Sequence, residues 1–282
     1  PIEAIRKKML NQRKKTLPVQ RVLVVVQFFI AQALVIFVIA IDQQVDYMTN
    51  KELGFNQNNL MVAPLPHSTP HKQATFRNQL REIPGVSKVS LAMGEPLSIS
   101  NNVSNYQLHG EQEDHFANMK AVDPYYLDTY GIRLKYGRGF RPSPNGQTMS
   151  SVLVNEKMTR DIGCPHPRDA LGQFIRLFGE KRQIIGVIEN FHVYSLHREL
   201  FPLILHHNPD LFARAGIRLE EGAYREAAPK IQKVYRKTFP NSLYRQYLYK
   251  DLLKDQYKGE ELFFGQLQIF TIIAIILASM GL

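Results

Sequence analysis

Two long apolar stretches lie near the ends of the chain, and neither contains a charged residue. The first, residues 22–41, has twenty positions; as an α-helix it extends about 30 Å, which matches the hydrocarbon core of a bilayer. The second starts near residue 262 and reaches residue 282, where we expect the span to be incomplete. The pattern predicts two transmembrane helices, at residues 22–41 and 263–282, around a more polar block.

The polar block begins with a strand, a helix and a second strand. Residues 59–65 predict the first strand, and residues 86–92 alternate as the second. Between them Thr69 and Pro70 predict a helix N-terminus, with Thr69 as the cap and Pro70 in the first turn. Helical spacing of the apolar residues after Phe76 completes a β-α-β unit.

A second β-α-β unit of similar length lies near the end of the block. Residues 212–219 and 242–249 predict strands, and an apolar stripe between them predicts a helix that ends near Pro240. Two such units typically share one sheet, with both helices on one face. We therefore predict an α+β fold, a split β-α-β sandwich, from residues 59–97 and 207–250.

Short strands dominate residues 98–206, and they are predicted at residues 106–109, 116–122, 152–154, 174–178 and 183–188. Asp123 and Asn155 precede short helical stretches, and Gly179 marks a hairpin turn. We predict a mostly-β subdomain inserted into the first. Residues 42–58 and 251–262 are predicted to form two helical stalks towards the transmembrane helices.

Basic residues in front of the first span predict its orientation. Residues 1–21 contain seven bases and one acid, and four of those bases flank the span: Arg13, Lys14, Lys15 and Arg21. Lys and Arg concentrate on the cytoplasmic side of membrane proteins. We predict a cytoplasmic N-terminus that meets membrane lipid, and a main domain outside the cytoplasm. Residues 1–17 fit an interfacial helix or a solvated basic tail equally well.

The net charge of +10 comes mostly from this basic segment. A nucleic-acid-binding protein needs a basic face on its folded domain, so we predict no nucleic-acid partner. A cleaved signal peptide is the alternative interpretation of the first span. Its apolar region would be about 7 to 15 residues long, which is shorter than residues 22–41.

The chain lacks the common sequence signatures of catalysis and cofactor binding. It has no nucleotide-binding loop, no dinucleotide fingerprint, no serine nucleophile elbow and no HExxH zinc motif. His206 and His207 are adjacent, so a strand would direct them to opposite faces, and we interpret the histidines as surface residues. Cys164 is the single cysteine and is predicted to be a small buried apolar residue. We predict no cofactor, no metal and no enzymatic activity.

Polar residues inside the predicted spans are candidates for helix contacts. Gln27 and Gln32 lie in the first span, and Gly265 and Gln266 at the start of the second. An amide in hydrocarbon needs a partner, and small residues let helices approach closely. These residues predict a helix–helix interface; the alternative is that the amides lie at the headgroup level or bond locally.

Five separated segments have the pattern of one known family: residues 21–29 (RVLVVVQFF), 47–55 (YMTNKELGF), 122–140 (VDPYYLDTYGIRLKYGRGF), 152–173 (VLVNEKMTRDIGCPHPRDALGQ) and 184–205 (IIGVIENFHVYSLHRELFPLIL). These segments resemble the MacB/FtsX-like permease subunits of ABC transporters, especially the second repeat of the paired-repeat permeases of Bacteroidetes. Together they extend over nearly the whole chain. The resemblance is therefore more specific than any one motif.

The resemblance implies a MacB-like periplasmic core of a porter-like and an inserted subdomain, carried by the bacterial inner membrane. It also implies a permease dimer or paired repeat and a separate or fused ATPase subunit. MacB-like relatives transmit motion to the periplasm, some with an adaptor, whereas FtsX-like relatives act on cell-wall enzymes. We expect a permease subunit whose periplasmic domain couples ATP-driven motion to an extracytoplasmic substrate. The alternatives are a two-span sensor ectodomain, an FtsX-like regulator and a membrane-anchored hydrolase.

Overall fold

A computed structural model of the chain describes residues 21–43, 53–98, 102–108, 110, 113–142, 150–192 and 200–280. The chain divides into two compact units. We call residues 1–51 together with 255–282 the terminal unit, and residues 52–254 the central unit. The predicted interfacial helix at residues 1–17 and the helical stalk at residues 44–52 lie outside the described residues.

Six α-helices occur in the described residues: α1 (Arg21–Gln43), α2 (Pro70–Arg81), α3 (Tyr126–Tyr130), α4 (Glu156–Asp161), α5 (Tyr224–Thr238) and α6 (Tyr249–Met280). The strands are β1 (Leu60–Pro64), β2 (Val86–Ala92), β3 (Asn102–Leu108), β4 (His115–Ala121), β5 (Leu134–Gly137), β6 (Ser151–Asn155), β7 (Phe174–Leu177), β8 (Glu180–Ile188), β9 (Leu203–His206), β10 (Arg214–Leu219) and β11 (Tyr247–Leu248). Short 3-10 turns occupy Pro167–Ala170 and Pro209–Leu211.

The terminal unit contains α1 and the later residues of α6. Helix α1 has 23 residues and is long and apolar enough to cross a membrane. Within α6 the apolar stretch is Leu262–Leu277, which is shorter than a typical span. Large apolar side chains such as Phe29 and Ile269 are 75% and 59% exposed. Apolar residues on all sides of a helix are typical of contact with lipid or with further helices.

A four-stranded antiparallel sheet forms the first half of the central unit, in the order β11-β1-β10-β2. Helices α2 and α5 pack on one face, where Phe76 and Tyr235 meet edge to face at 5.8 Å. The Thr69 side chain accepts the Lys72 backbone N–H and caps α2, as predicted. The two β-α-β units therefore share one sheet with both helices on one side, which confirms the predicted sandwich.

The second half of the central unit is a ring of strands. Its order is β5-β8-β6-β9-β4-β3-β7, and β7 also pairs with β8, which closes six of the strands into a barrel. The long strand β8 makes closure possible, since it pairs with β6 along one edge and with β7 and β5 along the other. Apolar side chains such as Tyr106, Met119 and Ile204 fill the interior, together with Cys164, which is buried as predicted.

The sheet and the barrel share an apolar layer, here the seam core. Leu60 and Val62 of β1 point into it, whereas Met61 between them points to the helices, as strand alternation requires. The barrel side of the layer includes Leu153, Leu203 and Leu205. Tyrosines from α3 and α6 complete it: Tyr126, Tyr130 and Tyr249. The two halves therefore bury a continuous interface.

Several elements of the structure differ from the prediction. The strand predicted at residues 242–249 is reduced to Tyr247–Leu248, because Tyr244 instead packs on Tyr235 at 4.9 Å and Tyr249 begins α6. Strands β5 and β9 were not predicted. Strand β5 has only four residues, and the short, fully buried apolar run of β9 has no strand period. Residues 53–58 are not helical, so the predicted stalk at 42–58 does not continue to residue 58.

Gly216 of β10 is predicted to tolerate no side chain. A Cβ at this position would lie 2.2 Å from the Tyr130 hydroxyl oxygen. We expect Gly216→Ala to lower the free energy of unfolding by about 1–3 kcal/mol, because Tyr130 would have to move within a packed layer. Denaturant unfolding of the purified chain in detergent measures this. Gly139→Ala is the matched control, since nothing lies within 4 Å of its Cβ position; equal losses in both variants would contradict the packing described here.

Candidate functional site

Three consecutive carbonyls lie at the edge of the seam core, in the segment that follows β2, here the carbonyl loop (residues 93–98). The Gly94 carbonyl accepts the Tyr126 hydroxyl at 3.3 Å, and the Glu95 carbonyl accepts the Lys120 amine at 2.5 Å. The Pro96 carbonyl accepts the Tyr249 hydroxyl. One short segment therefore bonds to α3, to β4 of the barrel and to α6.

Lys120 is the charged residue of this cluster and is completely buried. Its Nζ also lies 3.4 Å from the Ser98 Oγ. Burial lowers the pKa of Lys120 to about 7, and the nearby Glu95 carboxylate opposes this shift. Glu95 in turn lies 3.8 Å from the Arg214 Nε of β10. Lys120 therefore connects the barrel to a charged group that also reaches the sheet.

Asp123 makes a second polar link between the two halves. Its carboxylate accepts the Ser90 hydroxyl at 2.7 Å and the Leu91 backbone N–H at 2.9 Å, both from β2. Arg77 of α2 lies 3.8 Å away, with its guanidinium 4.2 Å above the Tyr125 ring. Burial raises the pKa of Asp123 to about 6, against the opposing effect of these hydrogen bonds. We conclude that Asp123 holds the start of α3 against the sheet.

The backbone reinforces this link. The Met93 N–H donates to the Ala121 carbonyl at 2.8 Å, and the Asp123 N–H donates to the Leu91 carbonyl at 3.0 Å. Ala92 and Val122 also form an isolated antiparallel bridge. The end of β2 is therefore paired with the end of β4, so the sheet and the barrel are joined by main-chain bonds as well as by side chains.

His206 and His207 are buried, so the interpretation of all histidines as surface residues was wrong for this pair. His206 packs edge to face on Phe178 at 5.5 Å, and His207 on Phe212 at 5.7 Å. Their rings therefore separate, as their adjacency in a strand requires. Burial lowers the pKa of both rings, that of His206 to about 4. The His207 Nδ1 also lies 3.0 Å from the Val122 carbonyl oxygen, so His207 combines packing with a polar contact.

The predicted membrane residues have different surroundings. Arg13, Lys14 and Lys15 lie outside the described residues, and Arg21 is exposed at the start of α1. Gln27 is partly buried, on the same helix face as the buried Ala31.

A cavity of about 500 Å³ lies between the two helices of the terminal unit. Gln32 lines it with Ile275 and Ser279 of α6. Gly265 is partly buried and Gln266 is exposed. Both lie roughly 14–20 Å along α6 from Ile275 and Ser279 of the cavity lining. The helix–helix role of the four residues stays a prediction.

The described residues contain no group of three His, Cys, Asp or Glu side chains that could hold a metal ion. Ser98 and Lys120 are a hydroxyl and an amine of the types used in serine–lysine nucleophiles. Lys120 already donates to a backbone carbonyl, and both residues are at least 94% buried, which leaves a substrate no access to the hydroxyl. The pair therefore offers no accessible nucleophile in this structure.

Sequence reasoning missed Glu95, Lys120 and Tyr249, and it assigned Asp123 only to the start of a helix. The Asp123 carboxylate does accept the Tyr125 N–H at 3.1 Å, but β2 provides its shorter bonds. A lysine inside the predicted strand at residues 116–122 was the available signal, since an inward-facing base in a strand needs a partner.

The buried Lys120 predicts a pH dependence of stability. The amine binds fewer protons in the folded chain than in the unfolded chain between pH 7 and its ordinary pKa of 10.5. The free energy of unfolding should therefore rise with pH, by about 2 kcal/mol from pH 7 to 9. Lys120→Met should abolish this rise and the exposed control Lys230→Met should retain it, as measured by denaturant unfolding. The same rise in all three proteins would refute the assignment to Lys120.

Comparison with known proteins supports the architecture. The family model of the MacB-like periplasmic core domain matches residues 23–224. None of the curated proteins compared matches the chain. The crystal structure of the periplasmic region of MacB from Actinobacillus actinomycetemcomitans is similar at 12% identity and a TM-score of 0.52, over 73% of this chain and 94% of that one. That likeness shows a shared fold.

Two further solved structures are similar. The extracellular domain of YknZ, a noncanonic ABC-type transporter from Gram-positive bacteria, has 14% identity and a TM-score of 0.48, over 67% of this chain and 100% of that one. A domain assigned to a permease protein of Porphyromonas gingivalis has 18% identity and a TM-score of 0.46, over 68% and 92%. Because the family model covers more than two thirds of the chain, this protein belongs to the MacB-like periplasmic core domain family of ABC-type transporter permeases, and it is a membrane protein with an extracytoplasmic domain.

Proposed function

We infer that this protein is a permease subunit whose extracytoplasmic domain couples ATP-driven motion of membrane helices to the export or handling of a substrate. The observation that carries this inference is the start of α6. Helix α6 begins at Tyr249, which is 1% exposed inside the seam core, and it runs without a break to Met280. One helix therefore contains both the buried Tyr249 of the seam core and the apolar stretch Leu262–Leu277.

The other chain connection reaches the same layer. Phe55, a few residues after the segment that leaves α1, packs edge to face on Tyr249 at 5.8 Å. Main-chain bonds hold its neighbours, since the Asn56 N–H donates to the Tyr130 carbonyl at 2.8 Å and the His192 N–H to the Leu53 carbonyl at 3.1 Å. Displacement of either membrane helix would act on a close-packed layer that resists continuous deformation. The displacement would therefore be transmitted through the seam core to both halves of the central unit.

The proposed partners follow from the family and from the terminal unit. An ATPase subunit supplies the energy, because the chain has no nucleotide-binding loop of its own. The exposed apolar side chains of α1 and α6 would contact lipid, further spans and a second permease copy or paired repeat. Gln27 and Gln32 would provide amides for those helix contacts. A periplasmic adaptor would complete an export complex. The location is the bacterial inner membrane, with several spans.

The proposed function predicts the orientation of the chain in the membrane. Protease added to intact spheroplasts should digest residues 52–254. The basic residues before α1 predict a cytoplasmic N-terminus, which leaves the central unit outside the cytoplasm and accessible to the protease. Immunoblotting with an N-terminal tag and with an antibody to the central unit measures this. The tag should survive until lysis. A central unit that survives protease in intact spheroplasts and is cut only after lysis would contradict the proposed topology.

The proposed function also predicts that the central unit moves when the ATPase binds nucleotide. Spin labels at Lys233→Cys of α5, an exposed position, would report the distance between the central units of two permease copies when Cys164 is replaced by Ala. Addition of ATP and vanadate to the complete permease with its ATPase should change that distance, as measured by pulsed electron spin resonance.

The control is a complex with an ATPase variant that does not bind ATP, in which the distance should stay constant. A sensor ectodomain would give a constant distance even when the intact ATPase is trapped with ATP and vanadate. That result would contradict coupling and favour the sensor.

A further inference from the structure

Tyr249 occupies an unusual position for the first residue of a helix that leads to an apolar segment. Its side chain is buried among the seam-core residues rather than exposed at the end of the central unit. The Phe55 ring lies against one side of it, and its hydroxyl donates to the Pro96 carbonyl. The start of α6 is therefore fixed to the carbonyl loop by a directional bond as well as by packing.

The hydroxyl requires an explanation beyond packing. A phenylalanine fills almost the same volume, and a buried hydroxyl is costly unless it finds a partner. Tyr247 lies two residues earlier, in β11, and is 39% exposed. The two tyrosines differ in burial within one short segment, which makes Tyr247 a matched reference for loss of a hydroxyl.

The carbonyl loop connects Tyr249 to β2 and to β4. It is covalently attached to β2, and the carbonyl just before Pro96 accepts the Lys120 amine of β4 at 2.5 Å. Lys120 is completely buried, so its Nζ cannot exchange this acceptor for bulk water without exposing the layer. A displacement of Pro96 would therefore be felt at Glu95 and, through Lys120, at β4 in the wall of the barrel.

We propose that Tyr249 is a positioning residue for coupling: its hydroxyl ties α6 to the carbonyl loop, and Lys120 ties that loop to β4, so that motion of α6 reaches the barrel by this route. The proposal rests on the proposed function. It assigns an order, with Tyr249 acting before the loop and Lys120 after it. A purely structural role for both residues would give no such order.

The experiment compares hydrogen exchange in the complete permease with its ATPase, in lipid nanodiscs, without nucleotide and after trapping with ATP and vanadate. The peptides of interest contain the carbonyl loop and residues 115–121 of β4. In the wild type and in the control Tyr247→Phe, trapping should change exchange in both peptides. Tyr249→Phe should lose the change in both, whereas Lys120→Met should keep it in the loop and reduce it in β4, where the main-chain bond from Met93 to Ala121 remains.

Each outcome tests a different part of the proposal. If the wild type shows no nucleotide-dependent change anywhere in residues 52–254, the proposed function fails. If the wild type responds and Tyr249→Phe responds equally, the route through Tyr249 is overturned. If Tyr249→Phe unfolds the central unit, Lys120→Met still decides the route, because a wild-type response of its β4 peptide overturns it. Equal loss in both peptides of Lys120→Met would also contradict the proposed order.

Discussion

The carbonyls of residues 94–96 provide the interaction on which the central unit depends. An amine and two tyrosine hydroxyls are buried where the sheet meets the barrel, and removal from water would destabilise the fold if they lacked acceptors. A loop with three adjacent carbonyls meets this need for three elements that are distant in sequence. The same bonds that make burial possible therefore also join β4, α3 and α6 at one place.

Shape complementarity supports these bonds. The absence of a side chain at Gly216 lets the Tyr130 ring lie directly on β10, and alternation along β1 allows one strand to serve two cores. Closure of the barrel pairs β7 on both sides, which leaves fewer free backbone groups on that strand. The two halves are therefore held by packing, by main-chain pairing between β2 and β4, and by buried polar contacts.

This organisation supports the proposed coupling of membrane-helix motion to the central unit. Phe55 and Tyr249 are far apart in sequence but in contact: Tyr249 is buried in the seam core, and the partly buried Phe55 packs against that layer. A weak, solvated attachment at the surface would yield locally when pulled. An attachment inside a close-packed layer distributes the displacement over many contacts, since such layers change between discrete arrangements.

Sequence alone determined the features that depend on local pattern: α1 from twenty uncharged residues, α2 from its Thr69 cap, the shared sheet from two β-α-β units, and the family from separated motifs. Tertiary structure decided the rest. Neither the burial of His206 nor the loss of most of the strand at 242–249 has a local signature, because each is set by neighbours from other elements. The partners of Lys120 and Tyr249 lie 25 and 153 residues away, and only the folded chain brings such groups within hydrogen-bonding distance.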